Sequence, residues 1–218
     1  MKVILFGATG MIGQGVLREC LLDPEVTSVL AVGRSPVGQR HAKLRELIRE
    51  DVSDLDPVAD EVAGYDACFF CLGVSSAGMS EEAYRKLTYD LTLSVARTLA
   101  RNPELTFVYV SGQGTDSTER GRSMWARVKG RTENALLELP FQAYMMRPGY
   151  IQPLHGIRSR TRLYAAAYAV AKPLYPLLKR VAPGFVTTTE QMGRAMLRVA
   201  RTGAPKRILE TRDINALR

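Results

Sequence analysis

The sequence predicts a doubly wound parallel α/β sheet carrying a small, mostly helical C-terminal lobe. Apolar runs of strand length alternate with segments of helical length. The first run ends in a glycine cluster that opens the first helix, and the alternation stops after Pro148. Such alternation calls for parallel strands covered on both faces, because each crossover helix returns along one side of the sheet. With 218 residues the chain can bury one sizeable core but is short for two independent domains. Residues 1–218 therefore read as a single domain, with 151–218 as a small lobe within it.

Lys2–Phe6 runs apolar up to Gly7, as a strand buried on both faces requires. Met11–Leu22 follows as a helix, stopped by Asp23-Pro24. Ser28–Val32 is the second strand, Leu44–Arg49 the third and Asp66–Leu72 the fourth. Ser80 caps a helix whose first turn holds Glu81 and Glu82, where negative charge suits the helix dipole. That helix extends to about Arg101 and stops at Asn102-Pro103. Leu105–Val110 is the fifth strand, residues 122–138 a helix, and Gln142–Met146 a sixth strand ending before Pro148. Beyond it, Arg160–Val181 looks helical and aromatic-rich, with a break at Lys172-Pro173. Thr187-Thr188-Thr189-Glu190 caps a helix to about Arg201, and Arg207–Glu210 is a short strand.

Composition narrows the function classes. The most apolar late stretch, Leu163 to Val181, is interrupted by Lys172, Pro173, Pro176, Lys179 and Arg180. A bilayer span needs roughly 20 predominantly apolar residues, so no membrane-crossing helix is predicted. The first residues are too short for a secretory apolar region. Cys20, Cys68 and Cys71 cannot form a disulfide framework. The Cys68-x-x-Cys71 spacing lies in a buried-strand pattern, where residues three apart face opposite ways, so both read as apolar fillers rather than a metal or redox pair. His41 and His155 have no ligand cluster nearby. These features suit a reducing cytoplasm. Residues 151–218 hold 13 Lys/Arg against three acids, Glu190, Glu210 and Asp213. A solvated basic surface explains this; an anionic substrate or an acidic membrane surface touched by residues 158–181 are the functional alternatives. No nucleic-acid-binding pattern accompanies the charge.

The strongest motif is Gly7-Ala8-Thr9-Gly10-Met11-Ile12-Gly13. A glycine triplet gains meaning from context, and this one closes an apolar strand and opens a helix. Gly7 permits the tight turn, Gly10 lets the backbone approach a pyrophosphate, and Gly13 lets helix pack on strand. The unpaired amides of Thr9, Met11 and Ile12 at the helix mouth then face the phosphates. The second strand ends Ala31-Val32-Gly33-Arg34-Ser35, without the acid that a NAD-preferring site uses to accept from the ribose 2′-hydroxyl. Arg34 is placed for a 2′-phosphate instead, so NADP is favoured over NAD. The alternative is an Arg34 that stacks on adenine or points to solvent.

With these residues the sequence resembles the short-chain dehydrogenase/reductase superfamily, in its atypical branch related to the NAD-dependent epimerases and dehydratases, built on the Rossmann fold. The resemblance spans nearly the whole chain. It rests on the glycine triplet, Arg34, Asp51-Val52 after the third strand, Cys71-Leu72-Gly73 after the fourth, Ser111 after the fifth, Lys129 in the next helix and Arg147-Pro148-Gly149 after the sixth. It implies that Asp51 and Val52 flank the adenine and that Leu72 and Gly73 lie along the adenosine ribose. It also implies that Lys129 bonds the nicotinamide ribose and that Pro148 sits near the carboxamide.

The catalytic positions depart from the family pattern. The position four residues before Lys129, where the family has its proton-transferring Tyr, is Trp125, whose indole donates a hydrogen bond but cannot shuttle a proton near neutral pH. The Asn of many relatives is Thr88 here. Ser111 survives, in Ser111-Gly112-Gln113-Gly114. Positioned acid–base catalysis is worth roughly 10²- to 10⁴-fold, so a replacement is needed for carbonyl reduction. Tyr150, Tyr109 and Tyr144 are the candidates, and Tyr150 is preferred because segments beyond the carboxyl ends of parallel strands line the ligand crevice. The expected function is an NADP-dependent oxidoreductase with Ser111, Lys129 and Tyr150 as its catalytic set. Its substrate would be a small carbonyl or quinone, lipophilic if the apolar side chains of the 151–218 lobe line its path rather than forming the lobe's own core, entering between the sheet edge and that lobe. The alternative is a non-catalytic NADP(H)-binding redox sensor or scaffold.

Overall fold

In the computed structural model of the chain, residues 1–158, 175 and 180–217 are described. Strands β1 (Lys2–Phe6), β2 (Ser28–Gly33), β3 (Leu44–Ile48), β4 (Ala67–Phe70), β5 (Thr106–Val110), β6 (Gln142–Arg147) and β9 (Ile208–Glu210) form one sheet. Its order is β3-β2-β1-β4-β5-β6-β9 and every neighbouring pair is parallel. The order reverses direction between β1 and β4, and such a switch point opens a crevice at the carboxyl ends of the strands.

Alternation along β1 divides the core in two. Val3 and Leu5 belong to one buried cluster, with Val16, Leu17 and Cys20 of α1 (Met11–Leu22) and Met192, Met196 and Val199 of α6 (Thr189–Thr202). Ile4 and Phe6 belong to the other, with Val95 and Leu99 of α4 (Leu91–Leu99) and Leu136 of α5 (Met124–Leu137). In that second layer Phe6, Phe70, Phe107 and Phe141 stack in series, with centroid spacings from 5.1 to 5.8 Å. Cys68 lies in this layer and Cys71 packs against the other, so the two thiols do face opposite sides of the sheet. No helix among the described residues is long and apolar enough to cross a membrane.

Several boundaries move. The fourth strand is Ala67–Phe70, shorter than Asp66–Leu72, although the Asp66 and Cys71 amides still donate to the Lys2 and Phe6 carbonyls of β1. The helix expected from Ser80 to Arg101 is broken: α3 (Glu81–Arg85) passes into a π-helical turn at Lys86–Asp90 before α4 resumes. Thr88 is buried within that π turn. A short helix α2 (Ala59–Val62) precedes β4. Tyr150, expected just beyond the carboxyl end of the sixth strand, starts β7 (Tyr150–Gln152), which pairs in parallel with β8 (Val186–Thr188) to make a small second sheet. Within the expected Thr187-Thr188-Thr189-Glu190 start, Thr188 caps α6 by accepting from the Gln191 amide at 2.9 Å. A terminal helix α7 (Thr211–Ala216) was not expected; Glu210 and Asp213 close a capping box at its start.

The last third of the chain also builds the main sheet. It supplies β9 as the seventh strand and α6 as a cover beside α1. Those two helices touch through small residues: a Cβ on Gly15 would stand 2.6 Å from the Thr189 carbonyl oxygen, and one on Gly193 would stand 2.7 Å from Glu19 Cγ. The helical expectation for Arg160–Val181, with its Leu163, Tyr164, Tyr168 and Leu174, lies outside the described residues apart from Tyr175 and residues 180–181.

Candidate functional site

The glycine turn is tightly constrained. Gly7 adopts a φ of +79°, and a Cβ there would stand 2.8 Å from the Cys71 carbonyl carbon, so only glycine fits. A Cβ on Gly13 would stand 2.6 Å from the Gly7 carbonyl carbon, which is how α1 comes to lie directly on the end of β1. Gly10 is the helix N-cap; its amide donates to the Gly7 carbonyl at 2.9 Å. The Gln14 side chain donates to the Thr9 carbonyl at 3.0 Å and pins the loop from inside. No side chain caps α1 and no acid stands in its first turn. The amides of Met11, Ile12 and Gly13 therefore begin the helix without intrahelical partners and under a partial positive charge.

Beside this mouth a crevice is lined by Gly7, Thr9, Arg34, Val52 and Leu72, all expected from the sequence. Arg34 is exposed and forms no ion pair among the described residues. Glu46 also lines the crevice, and its carboxylate accepts the Val37 amide at 2.6 Å. Sequence reasoning missed it: Glu46 reaches the crevice only because β3 registers Glu46 opposite Ala31 of β2, a pairing that local sequence does not reveal. Asp51 stands outside the lining. Its carboxylate accepts from the Ser53 hydroxyl at 2.6 Å and amide at 2.8 Å, which holds it below the usual carboxylate range. Gly73 is exposed, and a Cβ there would meet nothing within 4 Å.

At the other end, one rung of the sheet organises two candidate groups. Val110 and Met146 are register partners in β5 and β6. The Lys129 ammonium donates to the Val110 carbonyl at 3.3 Å and lies 5.5 Å from the centre of the Tyr109 ring. The Ser111 hydroxyl donates to the Met146 carbonyl at 3.2 Å, beside the bond from the Ser111 amide to the same oxygen at 2.9 Å. Burial of Lys129 pulls its ammonium down to about 8, with Glu133 one turn later opposing the shift. Glu133, fully buried, forms a two-pronged ion pair with Arg147, whose guanidinium also reaches the Ser117 hydroxyl at 2.5 Å.

The aromatic positions separate clearly. Trp125 is half-buried, and its indole lies over Gly114, where a Cβ would stand 3.5 Å from Cη2. Tyr150 is half-buried; its hydroxyl donates to Gln152 Oε1 at 2.9 Å, and burial, aided by the nearby Tyr175 phenol, raises its pKa. Tyr109 is fully buried and burial pushes its phenol far up. Tyr144 is buried too, its hydroxyl meets Gln142 at the amino end of β6 and its ring underlies Arg207, so it faces away from the crevice. Pro148 is buried, and its carbonyl accepts the Gln113 amide at 2.9 Å.

Comparison with known proteins agrees with this geometry. A family model described as NAD(P)H-binding matches residues 7–152. Protein fmp52, mitochondrial, of Emericella nidulans is 27% identical over 203 residues, covering 89% of this chain and 84% of that protein. Its counterpart FMP52 from Eremothecium gossypii is 25% identical and covers 100% of this chain and 97% of its own. Among solved structures, the Bordetella bronchiseptica enzyme WbmG in complex with NAD superposes with a TM-score of 0.66, at 11% identity, over 96% of this chain and 71% of that one, which shows a shared fold. The names of the FMP52 relatives overturn the expected cytoplasmic location and point to mitochondria; free cysteines report on redox environment and do not by themselves name a compartment.

Proposed function

The chain belongs to the NAD(P)H-binding family, and on that premise we propose that it is an NADP-dependent oxidoreductase of the atypical short-chain dehydrogenase/reductase type, acting on a small, lipophilic carbonyl or quinone and working in mitochondria as the names of its relatives suggest. The observation that carries the NADP reading is Arg34. It stands unpaired at the carboxyl end of β2, in the crevice beside the uncapped mouth of α1. A guanidinium there meets a 2′-phosphate in forked geometry, with the Ser35 hydroxyl beside it.

The residues fit the dinucleotide. Gly7, Gly10 and Gly13 leave the helix mouth bare of side chains, so the Met11 and Ile12 amides are free for the diphosphate. Val52 and Leu72 give the crevice apolar walls for adenine. Asp51 and Gly73, which stand outside the crevice lining, and Pro148 would meet the adenosine and nicotinamide ends respectively only as the resemblance implies. Bound there, the dinucleotide supplies hydride chemistry. Among the described residues Lys129 has one carbonyl partner for three donors, which would leave it able to hold ribose hydroxyls. Ser111 would turn its hydroxyl from the Met146 carbonyl to polarise a substrate oxygen. Tyr150 carries its proton at neutral pH and would be the proton donor in the reductive direction, although burial raises its pKa and makes it a weaker acid than a free phenol.

Trp125 favours a second reading, a non-catalytic NADP(H) sensor or scaffold, because the family's proton-transferring position holds an indole. One assay separates them. Absorbance at the reduced nicotinamide band is followed with aliphatic aldehydes, aromatic aldehydes and quinones as acceptors. An oxidoreductase consumes NADPH with at least one class. A sensor binds it without turnover, and gain of reduction only in Trp125→Tyr would sink the replaced-catalyst mechanism.

A further inference from the structure

Beyond Gly114, whose backbone lies beneath the Trp125 indole, an open groove crosses the carboxyl ends of β6 and β9. Two cations line it, and they differ. Arg147 is neutralised by the buried Glu133 and lies 3.5 Å from Glu210. Arg212 is exposed and has no hydrogen-bond or ion-pair partner among the described residues. Arg212 also stands in the first turn of α7, where the helix dipole disfavours a cation.

The groove is built rather than incidental. A Cβ on Gly184 would stand 2.8 Å from Arg212 Cγ, so the arginine stem lies flat on bare backbone there. A Cβ on Gly149 would stand 2.5 Å from Gln113 Oε1, and Gly149 also touches the Phe185 backbone. The Gly149 amide is in turn fixed by the Thr211 hydroxyl at 2.9 Å, next to Arg212 in sequence. Glycines therefore draw the Phe185 and Arg212 walls together. Phe185 is 47% exposed and Val181 73%, both lining the groove. A large apolar wall left open beside one uncompensated cation is the complement of an amphiphilic anion.

The geometry points to this groove as the site of an organic acid, its carboxylate on Arg212 and its hydrocarbon or aryl body on Phe185 and Val181. The inference rests on the oxidoreductase reading and narrows its substrate from a lipophilic carbonyl to a lipophilic carbonyl acid. A free guanidinium recognises a carboxylate in forked, charge-assisted geometry, and an alcohol of the same shape loses that term.

The test uses 4-phenylbutyrate and 4-phenylbutanol as probes, titrated calorimetrically into the full chain with and without saturating NADP⁺. The acid is expected to bind at least about tenfold more tightly than the alcohol, as a charge-assisted bond implies. Arg212→Gln should erase that preference, Arg212→Lys should restore part of it, and Phe185→Ser should weaken both probes. NADPH affinity of each variant serves as the folding control. Equal binding of acid and alcohol, no binding of either, or a preference that survives Arg212→Gln overturns the inference. Acid preference in a wild-type chain that fails to bind NADPH would leave the acid site standing and overturn the oxidoreductase reading alone.

Discussion

The Gly7 carbonyl sits against the backbone of Gly13 so closely that a Cβ on Gly13 would stand 2.6 Å from the Gly7 carbonyl carbon. This contact seats α1 on the end of β1 and aims its amide-bearing mouth into the crevice. Neither neighbour is a flexible side-chain tip that could move aside, so Gly13→Ala should cost about 3 kcal/mol or more, at the upper end of overpacking penalties. Urea unfolding measures it. A loss below about 1 kcal/mol would show that the helix can shift without harm.

On the proposed reading, Arg34 sets the choice between dinucleotides. Arg34→Gln should weaken NADPH binding by about 10- to 100-fold while leaving NADH affinity near its wild-type value, the scale of a lost charge-assisted hydrogen bond. Equal weakening of both nucleotides would assign Arg34 to adenine stacking instead.

Lys129 should leave a pH signature on stability. Its folded pKa is lowered from 10.5 to about 8, first by burial. Between these values the unfolded chain holds more protons, so stability rises with pH across that window. Below about pH 8 the burial penalty is fully present, and above about 10.5 it is relieved. Relative to Lys129→Met, the wild type should therefore gain on the order of 3 kcal/mol between those limits. Urea melts of both proteins at pH 7, 8, 9 and 10 would show it, and parallel curves would contradict it.

Glu133 and Arg147 form a buried pair that ties α5 to β6. Glu133→Gln leaves a mostly buried guanidinium facing only Glu210 and Ser117, and should destabilise by about 3 kcal/mol. The double variant Glu133→Gln/Arg147→Met should lose less than the sum of its parts. Additive losses would mean that the pair is not coupled.

Local signals carried most of the fold. Met11–Leu22 matches residue for residue, because Gly10 opens the helix and Asp23-Pro24 ends it. The π turn at Lys86–Asp90 was not legible, since nothing in the local sequence marks a shift in the hydrogen-bond ladder around the buried Thr88. β7 and β8 were missed because each has three residues and they pair across a long stretch of chain. In the site, the glycines, Arg34, Val52 and Leu72 were legible from motif and context. Glu46 was not, because strand register delivers it. The partners that Ser111 and Lys129 find on the Val110–Met146 rung were likewise beyond sequence, since spacing gives a residue's place and not its hydrogen bond.

The central claim is that the bare mouth of α1 and Arg34 together hold NADP(H). Calorimetric titration of the full chain with NADPH and with NADH tests it most directly. Saturable binding of NADPH, at least about tenfold tighter than NADH, is the expected result. Absence of heat with either nucleotide would contradict the site, and tighter binding of NADH would contradict the role given to Arg34.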